Sequence, residues 1–255
     1  MRNLYFILFS AFLVFVSCEW HLRSDDSNDG VGKIVIERYD CLERHFLTSG
    51  DIAAMQRMNT DYPLETRTLI EDVLRIGHVD EPGINMRFLT FFRDSTLQTL
   101  LSDVQEQYAD MSDIERSLTD AFRRLNSMIP SLQPPRIYTQ IGSLDQSVVV
   151  GDGLLGISLD KYLGSDHPVY LRYGYTPMQR AMMRREFIVP DCLGFFLLSL
   201  YPAPDGHSPD GHIAKIQHVV NEAMGHDMFT SAGVKAVEQY VKRNPDITAG
   251  ELLTE

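Results

Sequence analysis

Hydrophobic positions in the first half of the chain recur at the three- and four-residue spacing of amphipathic helices. Asp51 and Asp94 directly precede two such segments and are candidate N-caps. Ser112 followed by Glu115 predicts a capping box at the start of another helix. Because apolar stripes of this kind face a protein core, residues 33–133 are predicted to form a helical half. The stripes are Thr66, Leu69, Ile70, Val73 and Leu74; Leu97, Leu100, Leu101 and Val104; and Leu118, Ala121, Phe122, Leu125 and Met128.

The pattern changes character after Pro134-Pro135. Residues 136–141 alternate like a strand, residues 148–150 are a β-branched run, and residues 155–159 follow a Gly-Asp-Gly turn. Short strands joined by turns predict an antiparallel three-strand meander at this point of the chain.

After the strands the pattern is helical again. Residues 187–201 are apolar nearly all round, with Pro190 near the first turn, which predicts a helix buried at the centre of the fold. Thr248 followed by Glu251 predicts a second capping box. With residues 134–255 as a half of strands plus helices, the expected fold is α+β and mainly helical, with a small antiparallel sheet in the middle. The remaining predicted helices span residues 212–226, 231–242 and 246–253.

The N-terminus has the pattern of a secretory signal peptide. Its apolar run, Leu4–Val16, is too short to cross a bilayer, which takes ~20 such residues. Ser17-Cys18 follows directly, like the small residue and cysteine of a bacterial lipobox. The sequence therefore predicts a signal peptide over residues 1–17, a lipid on Cys18 and a polar tether over residues 18–32. An ordinary cleaved signal with a chance cysteine is the alternative.

Composition is ordinary for a globular protein, with 44% hydrophobic and 23% charged residues. Residues 33–255 are predicted to form a single domain, which is long enough to bury a core. The formal net charge is −12, and loss of Arg2 with the signal peptide would make it −13. Such a surface repels nucleic acid, so no nucleic-acid partner is expected. The arginines at Arg180, Arg184 and Arg185 form only a local basic patch.

Two cysteines remain once Cys18 is assigned to lipid. Cys41 and Cys192 could form a disulfide outside the cytoplasm, or they could be two separate buried thiols. Their spacing along the chain does not decide between these alternatives, because a disulfide requires the two Cα atoms to be close in space.

Two blocks in the middle of the chain resemble a known family. The first is residues 156–170, Gly-Ile-Ser-Leu-Asp-Lys-Tyr-Leu-Gly-Ser-Asp-His-Pro-Val-Tyr, and the second runs from Pro177 to Asp191. With the lipobox, the helical half and the short strands in the same order, they resemble the gliding-motility lipoprotein family (GldB-like) of Bacteroidota. The resemblance implies an envelope lipoprotein, lipid-anchored to a membrane, with other envelope proteins of gliding or its linked secretion apparatus as partners. It also implies a layout like that of zinc-peptidase domains, without an assigned catalytic set.

The two blocks supply the candidate family-motif and contact residues: Asp160, Tyr162, Gly164, Tyr170, Arg180, Pro190 and Asp191. Asp160 and Asp191 could be a general acid–base couple, or they could act structurally as the cap of a short turn and in the first turn of a helix. A cluster of tyrosines could form an aromatic contact surface, or it could be partly buried with each hydroxyl bonded at the rim. The four are Tyr162, Tyr170, Tyr173 and Tyr175.

Signatures of catalysis are missing from the sequence. A zinc peptidase needs His-Glu-x-x-His on a helix, and the chain contains no such run. A rival hypothesis is a metal-dependent hydrolase with a non-standard set drawn from His207, His212, His218, Glu222 and His226. The last three share one helical face, but the outer two would lie ~12 Å apart, too far for one tetrahedral ion. The favoured prediction is a non-enzymatic scaffold with no catalytic residue, metal or cofactor.

Overall fold

The computed structural model describes residues 31–204, 206 and 208–255. The predicted signal peptide, Cys18 and His207 lie outside the described residues. The described chain is α+β and mainly helical with one small sheet, which confirms the predicted fold class. No helix within these residues is long and apolar enough to cross a membrane.

Twelve α-helices are described, together with three short helical segments of other types. The α-helices are α1 (Tyr39–Ser49), α2 (Ile52–Asp61), α3 (Pro63–Arg67), α4 (Ile84–Phe91), α5 (Ser95–Gln107), α6 (Ser112–Met128), α7 (Pro168–Arg172), α8 (Pro177–Met182), α9 (Ile188–Leu200), α10 (Pro209–Met224), α11 (Ala232–Arg243) and α12 (Ala249–Thr254). A π-helical segment (Thr68–Val73) continues α3, and 3₁₀ turns occupy Leu159–Lys161 and Arg185–Phe187.

The sheet differs from the predicted antiparallel meander. It has four strands in the order β1-β2-β4-β3, in which β2 pairs in parallel with both β1 and β4, and only β3 and β4 are antiparallel. All five residues of β4 are buried, whereas β3 is partly exposed. The fully buried β4 takes an inner position, and the β3–β4 hairpin folds back so that β3 lies at the edge. The strands are β1 (Ile36–Glu37), β2 (Arg136–Gln140), β3 (Val148–Gly151) and β4 (Leu154–Ser158).

Helices cover the sheet and extend away from it. Helix α1 packs on β2, while α9 packs on β3 and β4 and also contacts α6 and α10. Helix α9 has the predicted extent, but it is not buried all round, because Phe195 and Leu200 are 42% and 50% exposed. Its inward face covers the sheet, and its other face has no neighbour among the described residues that would exclude solvent.

The predicted caps are partly confirmed. Asp51 and Asp94 accept hydrogen bonds from the first-turn amides of α2 and α5, and Thr248 with Glu251 forms the predicted capping box of α12. The box predicted at Ser112 is wrong. Glu115 instead accepts from the amide of Ile36 at 3.0 Å, so it holds the β1 segment against α6.

Packing of the domain reaches back to Val31, which is 2% exposed and belongs to the hydrophobic core. The predicted tether over residues 18–32 is therefore too long at its C-terminal end. Ile34 is fixed next, since its amide donates to the Thr119 hydroxyl of α6 at 3.0 Å.

Candidate functional site

Asp160 is completely buried just after β4 and binds the loop that follows β2. Its Oδ1 accepts from the amide of Gly142 at 2.8 Å, and its Oδ2 accepts from the amide of Leu144 at 2.5 Å. The prediction that Asp160 caps its own turn is wrong, because both oxygens serve a different segment. Burial raises the pKa of this carboxyl above its usual value, while the two amide hydrogen bonds oppose that rise.

The bound loop has an uncommon backbone. Ser143 and Leu144 have φ angles of 49° and 67°, in the left-handed region that bulky side chains rarely adopt. The carbonyl of Leu144 accepts from the Tyr175 hydroxyl at 2.8 Å and from the Lys161 ammonium at 3.2 Å. A conformation of this kind costs ~1–3 kcal/mol per residue, so it persists because the surrounding contacts fix it.

Two of the four tyrosines are interior braces. Tyr170 is fully buried, and its hydroxyl donates to the carbonyl of Asp160 at 2.6 Å and accepts from the amide of Leu163 at 2.8 Å. Tyr162 is 1% exposed, and its hydroxyl donates to Asp191 at 2.8 Å. An aromatic contact surface that includes Tyr162 and Tyr170 is therefore wrong, because both hydroxyls are bonded inside the protein. Tyr175 is half-buried, and Tyr173 is 52% exposed.

Asp191 lies in the first turn of α9, as predicted, and next to the buried Pro190. Burial raises the pKa of Asp191 to about 7, against the opposing effect of the Tyr162 hydrogen bond. Asp160 and Asp191 bind separate partners, and no hydrogen bond between described residues joins them. The geometry thus places them at two braces and does not assemble them as an acid–base couple.

Gly164 and Arg180 close the segment between the two blocks. The amide of Gly164, which has a φ of 112°, donates to the carbonyl of Met183 at 2.9 Å. The guanidinium of Arg180 donates to the carbonyls of Ser165 at 2.7 Å and Tyr175 at 3.3 Å. These bonds tie the start of the segment to its end, and a side chain at position 164 would be strained at this φ.

Gly164, Tyr170 and Arg180 support a largely exposed segment that we call the arm, residues 167–185. It contains α7 and α8, and Thr176 with Gln179 forms a capping box at the start of α8. Four large apolar side chains of the arm are exposed, to 56%, 52%, 82% and 39%. They are Leu171, Tyr173, Met178 and Met182.

A shallow cavity of about 320 Å³ lies where the arm meets the bound loop. It is bordered by Tyr173 and Tyr175 of the arm, by Ser143–Asp145 and by Val73–Arg75. Arg75 also has a left-handed backbone, with a φ of 52°. Three of the four non-glycine residues with positive φ in the described chain therefore border this cavity. Such clustering is typical of functional sites. The sequence indicated a turn here but gave no sign of left-handed Leu144.

Glu43 is an interior carboxyl group that sequence reasoning missed. It is fully buried on α1, and its Oε2 accepts from the amide of Ile141 at 2.9 Å, while its Oε1 has no partner among the described residues. Burial raises the pKa of Glu43 well above its usual value, and the nearby carboxylates Asp160 and Asp40 raise it further. The available signal was its place on the apolar stripe of α1 with Tyr39, Phe46 and Leu47.

The histidines of the rival metal site do not converge. His218 is buried on α10, whereas Glu222 is exposed, and α10 ends at Met224, before His226. The ring of His212 is bonded to the carbonyl of Tyr201 at 2.7 Å. Within the described ranges, no group of three His, Cys, Asp or Glu side chains could hold a metal ion.

The two remaining cysteines are unpaired. Cys41 is exposed on α1, and Cys192 is buried on α9, so the alternative of two separate thiols describes the structure. Cys41 differs from that alternative in its exposure. Burial raises the pKa of the Cys192 thiol well above its usual value.

Comparison with known proteins gives one match. A family model described as gliding motility protein GldB matches residues 24–210, which include both blocks and the whole arm. No curated protein matches the chain, and no solved structure does.

Proposed function

Since this chain belongs to the GldB family of gliding-motility lipoproteins, we propose that it is a lipid-anchored, non-enzymatic scaffold of the cell envelope. In this role it holds other envelope components of the gliding machinery or of the secretion apparatus linked to it. The family match over residues 24–210 is the observation that carries the proposal.

Covalent attachment at Cys18 would keep the domain close to a membrane. Cys18 lies 13 positions before Val31, the first described residue. A fully extended chain of that length spans at most ~45 Å. An anchored domain would therefore meet proteins of the same membrane at high local concentration, as a scaffold requires.

The internal use of the motif residues supports a structural role. Both oxygens of Asp160, the hydroxyls of Tyr162 and Tyr170, and the guanidinium of Arg180 are engaged in contacts within the domain. Groups bound in this way position backbone segments and are not free to act on a substrate. Asp160 positions the loop beside the arm, Tyr170 and Arg180 position the arm, and Tyr162 is bonded to the first turn of α9.

The experiment compares crosslinked immunoprecipitation from native membranes for the wild type and Cys18→Ser. We expect motility or secretion components to be recovered with the wild type and lost with the variant, because the unlipidated domain is no longer held at the membrane. Cys41→Ser is the matched control, since it removes an exposed thiol and leaves the anchor in place.

Two results would contradict the proposal. One is the absence of specific recovery from both wild type and Cys18→Ser. The other is a deletion strain whose gliding and secretion are both normal.

A further inference from the structure

We propose that the arm is the docking surface for a partner protein segment that is apolar and acidic. This inference rests on the proposed scaffold function and deepens it by giving the chemistry of the partner. The argument depends on three properties of residues 167–185: apolar exposure, charge and preorganisation.

Apolar exposure is concentrated on the arm. Of the twelve large hydrophobic side chains that are exposed in the described chain, four lie between positions 171 and 182. Met178 is the most exposed of all, at 82%. Methionine, tyrosine and arginine are enriched at protein interfaces, and the arm presents all three.

The charge of the arm is opposite to that of the protein. Residues 167–185 contain four arginines and no acidic residue or lysine, in a chain with a net charge of −12. Arg180, Arg184 and Arg185 each have a carboxylate partner, in Asp166 at 3.8 Å, in Glu186 and in Asp113. Arg172 donates to the Thr96 hydroxyl at 3.0 Å and has no carboxylate within salt-bridge distance among the described residues. An acidic segment is thus repelled by most of the domain, and Arg172 is the arginine of the arm that remains available to attract it.

The arm is held in place before a partner arrives. Gly164 and Arg180 tie its start to its end, and Tyr175 bonds its middle to the carbonyl of Leu144. The ring of His167, directly before α7, is bonded to Asp103 of α5 at 3.0 Å. A surface that is already ordered loses little conformational entropy on binding, which favours docking. The cavity beside Tyr173 gives this surface a concave border.

A protein segment fits these observations better than an anionic lipid surface. The exposed apolar residues and Arg172 would suit either, but the domain as a whole carries a net negative charge that opposes approach to anionic lipids. A protein segment needs to contact only the arm, so the charge of the remaining surface matters less.

The test places the photoreactive residue p-benzoylphenylalanine at position 178, in the full chain and in native membranes. Position 52 on α2 is the matched control, because Ile52 is 71% exposed and lies far along the chain from the arm. We expect a protein adduct at 178 and none at 52. The crosslinked peptide, sequenced by mass spectrometry, should contain apolar residues and carry a net negative charge.

A charge reversal tests the acidic part of the inference. With the photoreactive residue at 178, Arg172→Glu should lower the adduct yield by roughly tenfold, because an attractive contact becomes repulsive. Arg93→Glu makes the same change of charge at another exposed arginine and should leave the yield unchanged. Circular dichroism of the purified variants establishes that both are folded.

Several results would overturn the inference. Equal adducts at positions 178 and 52, no adduct at 178, or a basic crosslinked peptide would each do so. Binding of the Cys18→Ser protein to vesicles of phosphatidylethanolamine and phosphatidylglycerol that is lost in Met178→Ser would assign the arm to a lipid surface. If the immunoprecipitation recovers motility components while position 178 gives no adduct, the scaffold proposal stands and this inference fails.

Discussion

The middle of the chain and the C-terminal helices differ in the polar groups that they bury, because the middle buries carboxyl and hydroxyl groups whereas α10 buries the imidazole and amide groups of His212, His218 and Asn221. Between β2 and the first turn of α9, carboxyl and hydroxyl groups are buried and bonded to other segments: those of Asp160 and Tyr170 to backbone, and that of Tyr162 to the Asp191 carboxylate. In α10–α12, polar groups such as Glu222 and the Tyr240 hydroxyl remain at the surface. The contrast indicates that the middle specifies one unusual backbone arrangement through its buried carboxyl and hydroxyl groups, whereas in α10 the buried His212 and Asn221 bond backbone just beyond the two ends of the helix. The family match includes the whole middle and stops at residue 210.

The largest expected effect is that of Asp160→Ala. The substitution leaves the buried amides of Gly142 and Leu144 without acceptors and releases a left-handed loop, so we expect the free energy of unfolding to fall by ~3–5 kcal/mol. Urea denaturation of the wild type and the variant measures this change in the free energy of unfolding. Glu222→Ala on α10 removes an exposed carboxylate and should change the free energy by less than ~0.5 kcal/mol. Equal effects of the two substitutions would remove the contrast between the regions.

The second largest expected effect is the dependence of stability on pH that Asp191 causes. Its pKa in the folded protein is about 7, above the ordinary value of 3.8, so the folded state binds this proton more tightly than the unfolded state. The associated stability is full below pH ~4 and is lost as pH rises through 7. Between pH 5 and 8, the wild type should lose roughly 2–3 kcal/mol relative to Asp191→Asn.

Denaturation of both proteins at several pH values makes this comparison, and a difference that does not vary with pH would contradict it.

Glu251 in the C-terminal capping box should show the opposite dependence of stability on pH. Its hydrogen bonds with Thr248 hold its pKa below the usual value, so its contribution is lost as pH falls. The free energy of unfolding of the wild type should therefore fall towards that of Glu251→Gln at acidic pH, and urea denaturation of both proteins at several pH values measures the difference.

A smaller effect separates two tyrosine hydroxyls. Tyr170→Phe removes a buried hydroxyl with two partners and leaves the amide of Leu163 unsatisfied, for an expected loss of ~1–3 kcal/mol. Tyr240→Phe on α11 removes an exposed hydroxyl that bonds Glu255 and should cost several times less. Thermal denaturation of the two variants is sufficient, and a cost for Tyr240→Phe as large as that for Tyr170→Phe would sink the prediction.

The sequence predicted the features that depend on neighbours along the chain. The confirmed features are the caps at Asp51, Asp94 and Thr248, the extent of α9, and the two strands on either side of the Gly-Asp-Gly turn at residues 151–153. The two blocks also identified the family correctly. Helix periods, caps and motifs are local properties, since each is set within a few residues.

The site was less predictable, because its contacts join distant positions. The motif residues were identified, but Tyr162 and Tyr170 were considered for a contact surface, and their burial depends on acceptors in other segments. The arm was not recognised, since a stretch with methionine, leucine and tyrosine is as typical of a core as of an interface. Its exposure depends on which other segments pack against α7 and α8, and the tertiary structure alone shows this.

What the sequence determined by itself is therefore the set of elements, their caps and the family. Tertiary structure decided the order of the strands, the use of Glu115 on Ile36 and the left-handed backbone at Leu144. The physical reason is that a buried polar group takes whichever partner the packed chain brings within hydrogen-bond distance. Asp160 shows this directly, because it leaves its own turn uncapped and binds the amides of a loop 16 and 18 positions earlier.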